Sequence, residues 1–269
     1  MRSNICTIIL IAILFSCKNV KEEKTVKSDV VFKDTLKEIQ KSEIPINEEK
    51  GFVNDFDILL PDTYETHANV NLAASLNEKW IDLYQKDGEY YLGVPKFKIE
   101  KGISDSSGFP LMSIMSENET LIFMDFPEFK TGKIKHLNIS KRKIWPNDKL
   151  TFSFNNVDYV LRAEGKVLSE AKTVTEEDDK EAIFNEIADF KLYLTAGNIA
   201  EQLIFEEESF WENVLELLFV GDIDGDGKLD FLLKADRNNE DNRVVLFLSS
   251  KAENTEAVKK VSEIEWYLE

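Results

Sequence analysis

From Gly51 onward the chain runs in short stretches of alternating apolar and polar residues, separated by turn-forming clusters. A period of two sends successive side chains to opposite faces of an extended backbone, so the alternation predicts β-strands with one buried face. Trp80–Tyr84 and Glu89–Leu92 flank Lys86-Asp87-Gly88. Asp-Gly between two such runs predicts a hairpin, because both central turn positions need positive φ. Leu150–Phe154 and Asp158–Arg162 flank Asn155-Asn156 in the same way, and Lys191–Leu194 and Gln202–Phe205 flank Gly197-Asn198. Lys96–Glu100 alternates cleanly. Leu121–Phe126 is nearly all apolar, as in a strand buried on both faces. Leu215–Val220, Phe231–Leu233, Val244–Leu248 and Ile264–Tyr267 give four more strands toward the C-terminus.

Helical signals are few. Thr175 reads as an N-cap, followed by Glu176, Glu177 and Asp178 at the positive end of a helix dipole, with Ile183 and Ile187 four apart on one face. A second short helix is expected over 256–261; Leu36 and Ile39, three apart, would allow one over 34–41, but that stretch reads as linker. No internal repeat is evident. The predicted class is mainly β: an antiparallel β-sheet domain with one or two short helices, over residues 51–269.

The first residues have a different pattern. Arg2 precedes an apolar run from Ile5 to Phe15, which is short for a bilayer span and has the layout of a secretory signal. Its end, Leu14-Phe15-Ser16-Cys17, resembles the lipobox of bacterial lipoproteins. That resemblance implies a signal peptide over 1–16, cleavage before Cys17, and lipidation of Cys17. Two or more acyl chains hold a protein on a membrane where one does not, since each buried methylene contributes about 0.8 kcal/mol. Lys18 stands where the family's inner-membrane retention signal has Asp, which implies the outer membrane. Lys21-Glu22-Glu23 resembles the acidic tag of surface-displayed lipoproteins. Residues 17–50 are rich in Lys, Glu, Ser and Asp, with Phe32 the one aromatic, and read as a flexible linker.

Charge and cysteine content narrow the function. Lys and Arg total 33 against 51 Asp and Glu, a formal net charge of −18. Nucleic-acid binding rests on neutralising phosphates with basic side chains, so no nucleic-acid partner is expected. Adsorption to anionic lipid through a basic patch is disfavoured for the same reason. Cys6 and Cys17 are the two cysteines, so the region beyond them has no disulfide, thiolate nucleophile or cysteine zinc site. His67 and His136 have no metal-ligand spacing, and no nucleophile elbow, Walker loop or dinucleotide fingerprint occurs. Trp80, Tyr84 and Tyr90 offer rings for a glycan platform, although their alternation with polar residues fits a core face better.

The chemistry concentrates in Gly221-Asp222-Ile223-Asp224-Gly225-Asp226-Gly227-Lys228-Leu229-Asp230. Counted from Asp222, acids fall at positions 1, 3, 5 and 9, and Gly227 at 6. A calcium loop of the EF-hand type takes side-chain oxygens from 1, 3 and 5, a carbonyl from 7, and a direct or water-borne contact from 9, with a turn-forming Gly at 6. Position 12 is Leu233 where that loop has a bidentate Glu, and the flanks are strand-like. The stretch resembles the calcium loops of FG-GAP and VCBS-type repeats, in which Asp-x-Asp-x-Asp-Gly-x-x-Asp joins two strands. The resemblance covers 215–248 and implies side-chain ligands Asp222, Asp224, Asp226 and Asp230, and Lys228 as carbonyl donor. One copy does not make a propeller. Calcium is the expected cofactor, in a structural role. The expected protein is a lipid-anchored, outer-membrane or surface-exposed binding or scaffolding module, with a glycan or protein ligand. Alternative readings are a glycan hydrolase with paired carboxylates and an envelope accessory or inhibitor.

Overall fold

The computed structural model describes residues 52–126, 128–171 and 183–267. The signal segment, Cys17, the linker and residues 172–182 of the helix expected after Thr175 lie outside them. The described chain is mainly β. Its strands are β1 (Ile58–Leu59), β2 (Thr63–Glu65), β3 (Ile81–Lys86), β4 (Glu89–Gly93), β5 (Phe97–Ile103), β6 (Pro110–Ser116), β7 (Glu119–Met124) and β8 (Gly132–Lys133). They continue with β9 (Lys149–Phe154), β10 (Val157–Ala171), β11 (Ile183–Ala196), β12 (Gln202–Trp211), β13 (Glu216–Gly221), β14 (Asp230–Lys234), β15 (Asp241–Leu248) and β16 (Lys259–Tyr267).

The hairpins sit where the turn residues demand them. Asp87 and Gly88 take φ of 52° and 77°, and Lys86 pairs with Glu89 across them. Asn155 and Asn156 take 46° and 65° between Phe154 and Val157. These are the positive-φ pairs that match a hairpin to strand twist. Gly197, at 54°, turns β11 toward β12.

Four antiparallel sheets result: β1-β7-β3-β4-β8, β2-β6-β5, β12-β11-β10-β9 and β13-β14-β15-β16. The last is the middle of the molecule. Its Leu232, Val244, Leu246 and Leu248 join one core, together with Leu83, Leu92, Ile122 and Phe123 of the five-stranded sheet. Its Phe231, Leu233, Val245 and Phe247 join a second core with Leu161, Ile187, Phe190 and Leu192 of the long-stranded sheet. Neighbours along one strand therefore face different cores, which explains the unbroken apolar runs. Each such side chain contributes roughly 1.5–3 kcal/mol by burial, so the C-terminal sheet is where the two halves of the fold are joined.

Two helix expectations are corrected. Residues 183–188 are the start of β11, held between β10 and β12. Ile187 and Phe190 are both fully buried although three apart. Asp189, with φ of 54°, absorbs the extra residue where the register shifts between Glu164 and Lys166. Such a bulge shifts the strand's phase there, while the Ile183–Ile187 spacing of four, being even, suits one face of a strand as well as of a helix. Residues 256–261 form a turn and the beginning of β16, because pairing with β15 supplies the backbone bonds that a short helix would otherwise make internally. The helical element among the described residues is the single 3-10 turn Leu72–Ser75, capped by Asn71, whose side chain accepts from the Ala73 amide at 3.0 Å. No helix among the described residues is long and apolar enough to cross a membrane.

Candidate metal centre

The acidic loop connects β13 to β14, and packing determines its course. Ile223 drops into the first core and Leu229 into the second. The residues between these two anchors must arch outward. Gly225 and Gly227 make the arch, with φ of 79° and 86°. The entry is equally tight. A Cβ on Gly221 would stand 2.5 Å from the Lys135 carbonyl oxygen and 2.9 Å from the His136 Cα, so only glycine fits there. The Asp222 amide donates to that same carbonyl at 2.9 Å.

This path gathers three carboxylates. Asp222, Asp224 and Asp226 each place an oxygen within 4.8 Å of the others. Oxygens bound to one calcium at about 2.3–2.6 Å can be no more than about 5 Å apart, so the group meets the geometric condition for a shared ion. Asp222 Oδ2 accepts from the Gly227 amide at 3.2 Å. Asp224 Oδ1 accepts from the Asp226 amide at 3.1 Å and Asp226 Oδ1 from the Lys228 amide at 2.8 Å. Asp222 Oδ1 is different: it is buried and has no hydrogen-bond partner, on a residue only 9% exposed. A buried carboxylate oxygen without a donor is costly. Burial raises the Asp222 pKa, and repulsion from Asp224 and Asp226 adds to this against the Gly227 and Gly225 amides.

Asp230 has another job. It is fully buried, and its Oδ2 accepts from the Ile223 amide at 2.6 Å and the Asp224 amide at 3.3 Å. Its Oδ1 accepts from the Ser249 amide at 2.7 Å and the Ser249 hydroxyl at 2.9 Å. Four donors occupy its acceptor positions, so Asp230 ties the loop to the end of β15, and it does not join the group of three. Burial, and then the nearby Asp224 charge, push its pKa well above the usual carboxylate range. The Lys228 side chain points outward, its Nζ 3.7 Å from Asp226 Oδ2.

Several supports were not evident in the sequence. Ser249 Oγ also lies 3.0 Å from Asp226 Oδ1, and the Ser250 amide donates to Asp224 Oδ2 at 3.3 Å. The Tyr159 hydroxyl accepts from the Leu229 amide at 3.3 Å, and the Asn155 side chain donates to the Gly227 carbonyl at 2.7 Å. Burial and then the Asp226, Asp230 and Asp222 charges raise the Tyr159 pKa. Ser249 had a signal: Phe231 pairs with Phe247, so the antiparallel register carries Asp230 to the end of β15. Tyr159 and Asn155 come from a sheet remote in sequence and had none.

The other candidates lie elsewhere. Trp80 and Tyr90 are core residues, while Tyr84 stacks on its cross-strand partner Tyr91 at 5.7 Å. His136 stands edge-on to Tyr90 at 4.8 Å, and His67 edge-on to Phe109 at 5.6 Å. Among the described residues the metal-competent group contains neither histidine. Every side-chain donor in the group is a carboxylate oxygen, which suits a hard divalent cation. Comparisons with models of known protein families, with curated proteins and with solved structures found no match to this chain.

Proposed function

We propose that this is a lipid-anchored envelope protein whose β-domain binds one calcium ion in the β13–β14 loop and serves as a binding or scaffolding module. The observation that carries the calcium reading is Asp222 Oδ1, buried and unpartnered beside two further carboxylates. A cation there would satisfy that oxygen and relieve the repulsion among the three acids. The donors are oxygens, which disfavours zinc and copper. A flexible carboxylate loop suits calcium, with its six to eight loosely arranged ligands, better than octahedral magnesium. The ion's role is mechanical. Ile223 and Leu229 belong to different cores, so an ion gripping the residues between them fastens the loop on which both cores converge. The anchor reading rests on the lipobox resemblance at Leu14–Cys17.

Calorimetry on the full-length protein in detergent tests the ion. One calcium should bind with a dissociation constant of about 10⁻⁴ to 10⁻³ M, as in extracellular modules. Occupancy at 100 times that constant should stabilise the fold by about 2.7 kcal/mol. Asp222→Asn should abolish both effects. Equal melting temperatures in excess calcium and in EGTA, with no heat of binding, would refute the reading. For the anchor, radiolabelled palmitate should enter the parent and not Cys17→Ser. Equal labelling of both would sink it.

A further inference from the structure

Between Lys130 and Lys143 lie six Lys and Arg residues and no Asp or Glu, in a chain where acids outnumber bases by 51 to 33. This segment lines the edge of β13. The Asp222 amide donates to Lys135 O, Leu137 to Val220 O, Leu217 to Arg142 O and Ile144 to Leu215 O, each at 2.9 Å. Lys133 pairs with Glu89 at 3.0 Å and Lys141 with Asp148 at 2.8 Å. Lys135 reaches only a neutral amide, Asn155 Oδ1 at 3.4 Å. Among the described residues, Lys130, Lys135, Arg142 and Lys143 have no carboxylate within 4.0 Å. A run of six cations with no acid among them gives this acidic chain one local stretch of positive charge that an outside anion can meet.

Among the cavities that the segment borders, two follow one another along it. One, of about 280 Å³, is lined by Lys130, Lys133 and Lys135 on one side and by Asp222 and Asp224 on the other. The next, of about 220 Å³, is lined by Arg142 together with Gln85, Asn138, Ser140 and Tyr90. Spaced cations with amides and a hydroxyl between them match a ligand of spaced carboxylates and many hydroxyls. Duplex DNA, with one charge per about 1.7 Å, asks for a much denser basic face. A membrane surface is flat and does not enter cavities.

We propose that this stripe binds a linear acidic polysaccharide, its ring carboxylates meeting the unpaired cations and its hydroxyls meeting Gln85, Asn138 and Ser140. The inference rests on the binding-module reading and names its ligand class. A calcium ion on Asp222 and Asp224 forms part of the wall of the larger cavity, where a ligand carboxylate supplies it with a further oxygen.

The test is calorimetric titration of the full-length protein with an oligogalacturonate, in calcium and in EGTA. Binding is expected in both, tighter in calcium, and weakening at least tenfold between about 50 and 200 mM salt as counterions compete. The triple variant Lys130→Ala, Lys135→Ala, Arg142→Ala should bind at least tenfold more weakly with an unchanged melting temperature. A neutral galactose oligomer should not bind. No uptake of the oligogalacturonate, parent-like binding by the triple variant, or tighter binding of a DNA duplex or phosphatidylglycerol vesicles would overturn the proposal. Equal affinity in calcium and EGTA would overturn the role given to the ion. Calcium uptake without oligogalacturonate binding defeats this inference and leaves the calcium reading standing. Oligogalacturonate binding in EGTA by a protein that takes up no calcium does the reverse.

Discussion

The two ends of β14 both carry carboxylates, and they are treated in opposite ways. At the C-terminal end, Asp241, Glu207, Glu263 and Glu265 gather around two arginines, and Asp236 pairs with Lys234 at 3.0 Å. Arg237 holds Glu265 with two bonds, at 2.7 and 3.0 Å, and reaches Asp241 and Glu207 at 3.3 Å. Arg243 bonds Glu207 and Glu263, and Lys260 bonds Glu263 as well. At the N-terminal end, Asp222 and Asp224 have no Lys or Arg within 4.0 Å among the described residues, and Asp226 has only the exposed Lys228 at 3.7 Å. For the two glutamates the pKa directions follow, whereas burial raises Asp236 even beside Lys234. Burial works to raise Glu263 and Glu265, yet their bonds to Lys260, Arg243 and Arg237 outweigh it and hold both below the usual range. Burial raises Asp222 and Asp230 with no side-chain cation to oppose it. Buried carboxylates need compensating positive charge or donors. One end receives it from the chain, and the other is built to receive it from solution.

Three measurements would break or sharpen that contrast. The largest effect is expected for Asp230→Ala, which removes the acceptor of the buried Ile223 and Ser249 amides. Each orphaned donor costs about 1–3 kcal/mol, so urea denaturation should show a loss of about 4 kcal/mol in calcium and in EGTA alike. A loss confined to calcium would make Asp230 a ligand more than a brace. Arg243→Ala comes next. It leaves Glu207, nearly buried, with the longer Arg237 contact alone and Glu263 with Lys260 alone, at a cost of about 3 kcal/mol. Calcium should not rescue it. A cost under about 1 kcal/mol would mean that the arginine end is ordinary surface.

The smallest effect is in acid. Glu263 and Glu265 have folded pKa values below the ordinary 4.5. The unfolded chain therefore binds more protons than the folded one in that window, and stability rises with pH there. Their contribution should be intact above about pH 4.5 and lost as pH falls through the lowered folded values. In thermal melts, Glu263→Gln with Glu265→Gln should flatten this part of the stability profile relative to the parent. Parallel profiles would show that the two glutamates are not held low.

Much of the fold was legible because strand signals are local. Asp87-Gly88 and Asn155-Asn156 specify their hairpins through φ alone, and the apolar run Val244–Leu248 reads as a strand, which the structure buries on both faces. Ile183 and Ile187 misled, because residues four apart share one face of a strand as well as of a helix, and β11 is a strand. The metal candidates divided on similar lines. Asp222, Asp224 and Asp226 meet because two glycines within five residues bend the chain. Asp230 fits the same count, but its oxygens are engaged by amides that β13 and β15 bring to it.

From its own sequence the chain determined the strands, the tight turns and the close spacing of three aspartates, because each depends on residues a few positions apart. Tertiary structure alone decided that the C-terminal sheet lies between two cores. It also decided that Asp222 keeps a buried oxygen without a donor, and that the basic run from Lys130 to Lys143 lies along β13. Those outcomes depend on which distant surfaces exclude water from one another, and no local pattern of residues encodes that.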